Sequence, residues 1–328
     1  MAKKVTAFLI LLSMLAALLS GCRKNTRYSV DYYDVFDTFS TFTCYGLEEE
    51  AFDRIQKELH QLLLSFHQET DIYHTYEDVH SLKELNDQAG NGAISLSRRQ
   101  YDFLLFCKNA YTLSEGRVNV MLGAVTRLWH EARERAGEGE KHVVPSKDVL
   151  EEAFAHTSPD LLELDEDLLQ ASITDPLASI DVGALAKGYA GSLAMDYLAS
   201  QGVENYLLNL GGNVCAHGKP LGTGRDAFLI GLQSPNEPDG SYSQTVTLEK
   251  GCAVTSGDYQ RFFEEDGIRY NHIIDPDTLY PAALHRSVTV LAEDPAIADL
   301  LSTALFLMDT QRGQALAASF DAEVIYQD

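Results

Sequence analysis

Asp181-Val182-Gly183-Ala184-Leu185-Ala186-Lys187-Gly188-Tyr189-Ala190 is the stretch from which the fold is read. A strand ends, a turn of small residues follows, and a helix opens that runs through Ser200 and stops at Gly202. Working outward, Tyr206–Leu210, Phe228–Gln233, Thr245–Leu248 and Ser287–Leu291 read as strands. Glu265-Asp266-Gly267 reads as a hairpin turn between Phe262-Phe263 and Ile268–Tyr270. A helix over Ala296–Met308 and a strand over Ala322–Tyr326 close the chain. Upstream, Tyr33–Tyr45 reads as one strand. Glu48–Gln68 reads as a helix carrying Phe52, Ile55, Leu59, Leu62 and Phe66 at helical spacing. Ser97-Arg98-Arg99-Gln100 is a capping-box pattern opening a helix through Leu113. The charged, glycine-containing stretch Glu131–Ser146 is expected to be a surface loop, before a helix over Lys147–Ala155. Strands mixed with packed helices, without a regular strand–helix alternation, predict an α+β fold.

The N-terminus predicts a compartment. Met1–Cys22 reads MAKKVTAFLILLSMLAALLSGC, a short positive head followed by an apolar run. That is the pattern of a secretory signal, and the run is short for a membrane-spanning helix. Leu19-Ser20-Gly21-Cys22 resembles a bacterial lipobox. On that reading residues 1–21 are removed, Cys22 is acylated, residues 22–30 are a polar tether, and residues 31–328 form the functional domain. The protein would then be extracytoplasmic and lipid-anchored to the bacterial cell membrane.

Charge narrows the partners. The 328 residues carry a net charge of −24, which repels phosphate backbones and argues against nucleic-acid binding. An anionic cofactor would need local help from a cation or a metal. Cys44, Cys107, Cys215 and Cys252 are widely separated and form no CxxC pair, so neither a zinc site nor a disulfide framework is indicated.

Four further stretches carry chemistry. Asp299 and Thr303 stand i, i+4, on one face of the last expected helix. Their hard oxygens suit Mg²⁺, although a helix-starting Asp and a core Thr would read the same way. His272 precedes Ile273-Ile274-Asp275-Pro276; alone, it reads as a satisfied core histidine, while Asp275 before Pro276 reads as a turn former. Thr255-Ser256-Gly257-Asp258-Tyr259 and Leu210-Gly211-Gly212-Asn213 read as loops of small and hydroxyl residues. At Asp181–Ala190 the helix N-terminus, with Lys187 in its first turn, could receive a pyrophosphate. Equally, Gly183 and Gly188 could serve close packing and Lys187 could be solvated.

Together these stretches resemble the ApbE family of flavin transferases. The match covers nearly all the chain beyond Cys22 and is strongest over residues 181–308. The resemblance implies largely antiparallel sheets packed with helices and an active site in a cleft between sub-lobes. It implies FAD as substrate, Mg²⁺ as cofactor, and transfer of FMN to a Thr or Ser of acceptor flavoprotein subunits in membrane redox complexes, with release of AMP. The alternatives are an FAD pyrophosphatase and a non-catalytic flavin-binding lipoprotein. By the family's D-x-G-x-x-A-K-G pattern, Asp181 and Lys187 contact FAD and the Ala184 carbonyl ligates the metal. The A-D-x-x-x-T pattern assigns Asp299 and Thr303 to Mg²⁺. H-I-I-D-P makes His272 the acid–base residue and places Ile273 at the cofactor. Tyr73 is the expected stacking aromatic. Val118, Asn119 and Val120 occupy the family's F-D-x-T segment, here with Asn for Asp and Met121 for Thr. Phe36-Asp37-Thr38 stands where the family has Met-Gly-Thr, and Leu279 where it has glycine after D-P-x-T.

Overall fold

The computed structural model describes residues 25–237 and 241–328. The expected signal segment, Cys22 and the first residues of the tether lie outside them. Seven strands form the main sheet: β1 (Arg27–Val35), β2 (Thr38–Tyr45), β6 (Tyr206–Leu210), β7 (Asn213–His217), β10 (Lys250–Gly257), β13 (Ser287–Ala292) and β14 (Glu323–Gln327). They lie side by side in that order, and every neighbouring pair is antiparallel. β3 (Ile94–Ser95), β4 (Leu162–Asp165) and β5 (Gln170–Ile173) make a small sheet of order β3–β5–β4. β8 (Phe228–Gln233) with β9 (Tyr242–Leu248), and β11 (Phe262–Glu265) with β12 (Ile268–Asn271), are separate hairpins. The β11–β12 turn is the expected one, with Asp266 at φ 51° and Gly267 at φ 77°.

In its centre the main sheet is buried on both faces, because those strands send apolar residues to each side, whereas the edge strand β1 leaves one face exposed. In β10, Cys252 and Val254 enter the large core, whereas Ala253 joins a cluster with Phe228, Ile230 and Leu248 of the β8–β9 hairpin. The large-core face is covered by helices. These are α1 (Glu49–Thr70), α6 (Ala186–Ser200) and α7 (Pro295–Phe306). α7 is hydrophobic nearly all round, as a helix packed between sheet and helix must be. The remaining helices are α2 (Leu82–Asp87), α3 (Arg98–Leu113), α4 (Gly123–Gly137), α5 (Lys147–Phe154) and α8 (Thr310–Ser319). A second, smaller core joins α4, α5 and β11–β12: Val125, Trp129, Leu150, Phe263, Ile274 and Leu279 are buried there. Trp129 Nε1 donates to the Leu279 carbonyl at 2.9 Å and ties that lobe together.

Several expectations change. Tyr33–Tyr45 is not one strand but a hairpin, because Phe36 (φ 55°) and Asp37 (φ 51°) turn left-handed. Arg27–Val30, placed in the tether, are already strand; Tyr28 stacks on Phe52 of α1 with ring centroids 5.0 Å apart. Glu131–Gly137, expected in a surface loop, continue α4. The i, i+4 pairs Arg127–Glu131 and His130–Glu134 support the helix, and Trp129 and Ala132 bury one face of it. Leu63 rather than Leu62 faces the core on α1. After His272, Ile274 makes only an isolated bridge to Pro281 before the chain turns: Asp275 Oδ1 accepts from the Asp277 N–H at 2.9 Å, so Asp275 forms the turn as expected. The Ser97 capping box is present in full, and Cys44, Cys107, Cys215 and Cys252 are buried and unbridged.

Candidate active site

A cleft of about 300 Å³ opens between the two cores. One wall is made where α6 crosses α7. The contact is tight because Gly188 has no side chain: a Cβ there would overlap Asp299 Cβ and stand 2.5 Å from the Pro295 carbonyl oxygen. That approach lets the Gly188 N–H donate to Asp299 Oδ2 at 2.7 Å. The N–H groups of Leu185 and Ala186 are meanwhile taken by the Val182 carbonyl. The α6 terminus is therefore less open to an external pyrophosphate than its sequence suggests; the anion it holds is the chain's own carboxylate. Because Gly188 N–H is diverted, the Ala184 carbonyl receives no hydrogen bond among the described residues. Gly188→Ala is expected to part the two helices and cost about 1–3 kcal/mol. Thermal unfolding with and without Mg²⁺ checks this; a wild-type melting profile would show that the contact is not needed.

Asp299 is buried, in the second turn of α7, while Asp294 is the residue that caps the helix start. Burial pushes its pKa up, and Lys187 and the Gly188 N–H only partly offset that rise. Asn213 Nδ2, also buried, lies near this carboxylate without a well-aligned hydrogen-bond partner. The Thr303 hydroxyl follows one turn on, 3.3 Å from Ser256 Oγ.

His272 lies across the cleft. Its surface opens to the cleft, but its recessed position, with Arg261, Lys187 and Arg133 around it, holds the imidazole well below its usual pKa. The ring is therefore neutral near pH 7. Asn271 Oδ1 accepts from the Ile273 N–H at 2.9 Å, and Asn271 Nδ2 donates to the Ala282 carbonyl at 2.8 Å, which fixes the turn carrying His272. Leu279, in the same turn, has φ 65°. That left-handed backbone explains the glycine in the family pattern; here the leucine side chain enters the second core instead.

Tyr73 is held by a buried carboxylate. Asp71 Oδ1 accepts from the backbone N–H groups of Tyr73 (2.6 Å) and His74 (3.1 Å), and Oδ2 accepts from the Tyr76 hydroxyl (2.6 Å). Burial raises the Asp71 pKa, but these hydrogen bonds outweigh it and the net shift is downward. The Tyr73 ring stacks on His130 at 4.9 Å and is 48% exposed, so it presents a flat surface to the cleft. Val118, Asn119 and Val120 line the far side. Asn119 Oδ1 caps the next turn by accepting from the Met121 N–H at 3.0 Å, and Nδ2 donates to the Thr157 carbonyl at 2.8 Å. Its side chain is thus committed to structure. Asp could make the first bond but not the second, which gives a local reason for Asn here. Arg117 joins this wall to the His272 turn through Asp277 at 2.7 Å.

Every site residue expected within the described part of the chain lines this one cleft: Tyr73, Val118, Asn119, Val120, Asp181, Ala184, Lys187, His272, Ile273, Asp299 and Thr303. Sequence reasoning missed His130, Arg133 and Arg261, and read Asn213 only as part of a glycine turn. The first signal for Arg133 was the i, i+4 charge pairing of α4, which its reading as a loop passed over. Among the described residues no cluster of three or more His, Cys, Asp or Glu could hold a metal. A set of one carboxylate, one hydroxyl and one carbonyl is of another kind. It fits a hard, largely hydrated cation such as Mg²⁺, and the carbonyl without a hydrogen bond at Ala184 agrees with that.

A neutral imidazole, three cations, a buried carboxylate and a stacking surface in one cleft define an α+β enzyme built for an anionic ligand with a planar ring. The ApbE family model matches residues 25–326, and the chain belongs to that family. It is 33% identical over 245 residues to the FAD:protein FMN transferase of Klebsiella pneumoniae (strain 342), covering 74% of this chain and 73% of that protein. It is 30% identical over 310 residues to the FAD:protein FMN transferase of Vibrio cholerae, covering 94% and 86%. Among solved structures, the ApbE protein of Thermotoga maritima matches with a TM-score of 0.78 at 27% identity, over 92% of this chain and 94% of that one. A histidine-to-glycine mutant of the flavin transferase ApbE from Vibrio cholerae matches with a TM-score of 0.74 at 27% identity, over 92% and 93%. The protein is a transferase of this family.

Proposed function

We propose that the protein is an Mg²⁺-dependent FAD:protein FMN transferase. It would attach FMN to a Thr or Ser hydroxyl of an acceptor flavoprotein, such as a subunit of a membrane redox complex, and release AMP. The observation that carries this reading is the buried Asp299 carboxylate, gripped by the Gly188 N–H with Lys187 beside it and Thr303 and the Ala184 carbonyl in the same cleft. An unpaired buried carboxylate is costly, and a cation offsets that cost. Asp299, Thr303 and Ala184 would hold Mg²⁺, which when bound polarises the phosphate oxygens of the cofactor.

The remaining work falls to the chain's own groups. Tyr73 offers its ring face to the cofactor. Lys187 offsets diphosphate charge. His272, neutral at the start, accepts the proton of the acceptor hydroxyl on a ring nitrogen as that oxygen attacks the FMN-side phosphorus. An anionic cofactor also offsets the three cations around His272, so its proton affinity rises when the site is filled.

Incubation with FAD, Mg²⁺ and a flavoprotein subunit is the test. Covalent FMN on the subunit together with AMP is the expected result. Free FMN with AMP would make the protein a pyrophosphatase, and unchanged FAD would make it a flavin-binding protein.

We also propose that Cys22 carries the lipid anchor outside the cytoplasm, supported by the Leu-Ser-Gly-Cys close to the apolar leader. Among the described residues no helix is long and apolar enough to cross a membrane. Cys22→Ser is expected to move the protein from the membrane fraction to the soluble one with its activity intact. A mutant that stays membrane-bound would point to a retained apolar anchor.

A further inference from the structure

Two arginines in the cleft enter the scheme above only as charge around His272. Thr126, Trp129, His130 and Arg133 recur at i, i+3, i+4 and i+7, and this face of α4 lines the cleft. Arg133 Nη2 donates to His130 Nδ1 at 2.8 Å, and His130 Nε2 faces Glu134 Oε1 at 3.2 Å. In these two contacts His130 Nδ1 is the acceptor, since a guanidinium only donates, and Nε2 faces the Glu134 carboxylate. They fix one edge of the guanidinium and leave its other N–H donors without partners among the described residues. Arg261 enters the same cleft from the segment between β10 and β11. Neither guanidinium pairs with a carboxylate among the described residues. That is unexpected in a chain with 49 acidic and 25 basic residues, where carboxylates are plentiful. Desolvation first, and then the nearby Arg261, hold Arg133 below its usual pKa, although Glu134 and Asp181 lie near enough to offset part of that shift. Together with Lys187 both face His272.

Two guanidiniums that line one cleft without a salt bridge of their own suit an anion with several oxygens, a phosphate before a carboxylate. The proposed transfer generates such a group beside His272. The acceptor oxygen bonds to the FMN-side phosphorus, and the bond from that phosphorus to the bridging oxygen breaks. The electron pair stays on the bridging oxygen, which becomes a terminal oxygen of AMP, while the hydroxyl proton passes to His272. The adenylate phosphate gains about one negative charge in this step. We infer that Arg133 and Arg261 bind the departing adenylate phosphate and take up the charge that collects on its former bridging oxygen. This rests on the FMN-transfer reading of the cleft.

The test is direct binding of AMP, and of adenosine as the phosphate-free control, to the full protein and to Arg133→Gln and Arg261→Gln. FAD binding is measured in parallel. Each variant is expected to lose about 10- to 100-fold in AMP affinity, the range for one charged hydrogen-bonding group, with adenosine affinity unchanged. Arg133→Lys should recover part of the loss, since charge returns without the fork. Product inhibition of transfer by AMP should weaken in step. Unchanged AMP affinity in both glutamine variants, with FAD still bound, overturns the arginine assignment alone. Wild-type protein that binds neither FAD nor AMP overturns the cofactor reading along with it. Parallel loss of AMP and adenosine affinity would show the arginines to be structural and also overturns the assignment.

Discussion

Asp299→Asn is expected to abolish Mg²⁺-dependent FMN transfer while leaving the metal-free protein at least as stable as the wild type. The two effects have one cause. Asp299 is 4% exposed, and its carboxylate is stabilised mainly by one backbone N–H and by Lys187 nearby. Asparagine keeps the size and an oxygen for the Gly188 N–H, and removes a charge that is costly to bury. It also removes the one carboxylate in the proposed ligand set, leaving only neutral oxygens for Mg²⁺. Wild-type protein should therefore gain thermal stability with Mg²⁺ by mass action, and the variant should not. Thr303→Val should weaken turnover without abolishing it, because it deletes a neutral ligand. A variant with wild-type transfer at limiting Mg²⁺ would remove Asp299 from the metal site.

His272→Ala should slow FMN transfer by about 100- to 10,000-fold, the usual worth of a general acid–base group, while FAD still binds. Lys187→Ala should differ by weakening FAD binding as well as turnover, since its charge faces the phosphates and not the travelling proton. Fluorescence titration with FAD beside the transfer assay separates the two. Normal transfer by the His272 variant would make direct attack without a protein base the better mechanism.

The same residue predicts a pH effect on stability. Recessed in the cleft among three cations, His272 has a pKa below its unfolded value of about 6.5. Below that pH the unfolded chain binds a proton that the folded chain resists. Stability therefore rises with pH through this window and is lost as pH falls through it. His272→Ala should flatten that slope, and denaturant titrations across the acid range would reveal it. An unchanged slope would mean that His272 titrates normally when folded.

How much of this could be read from residues alone differs by element. α1, α3 and α6 declare themselves because their signals are local: helical spacing of apolar residues, a Ser–Gln capping box, a terminal glycine. The β1–β2 hairpin is hidden because Asp37 is its only turn-favouring residue and Phe36 beside it carries no turn signature, yet both adopt positive φ. α4 is not legible as a helix, because its charged outer face reads as a loop, and only burial of Trp129 and Ala132 against the second lobe shows it to be one. α8 went unread, although Asp309 caps it and Leu316 and Ala317 bury its inner face.

For the site, the order of residues alone marks out those that can carry the chemistry. The spacing of Asp299 and Thr303 and the small residues before Lys187 are properties of neighbouring positions, and so is the His272 turn. What those residues meet depends on how distant segments pack. The α6 terminus looked like a cradle for an external anion. The fold spends its Gly188 N–H on Asp299, 111 residues away in sequence, because two helices approach where glycine leaves room. Arg133 and Arg261 lie in no shared motif, and they share a cleft only once α4 and the β11–β12 hairpin pack into one small core. Propensity and spacing act along the chain. Close approach, desolvation and unpaired charge arise between segments, and they exist only when those segments are folded against each other.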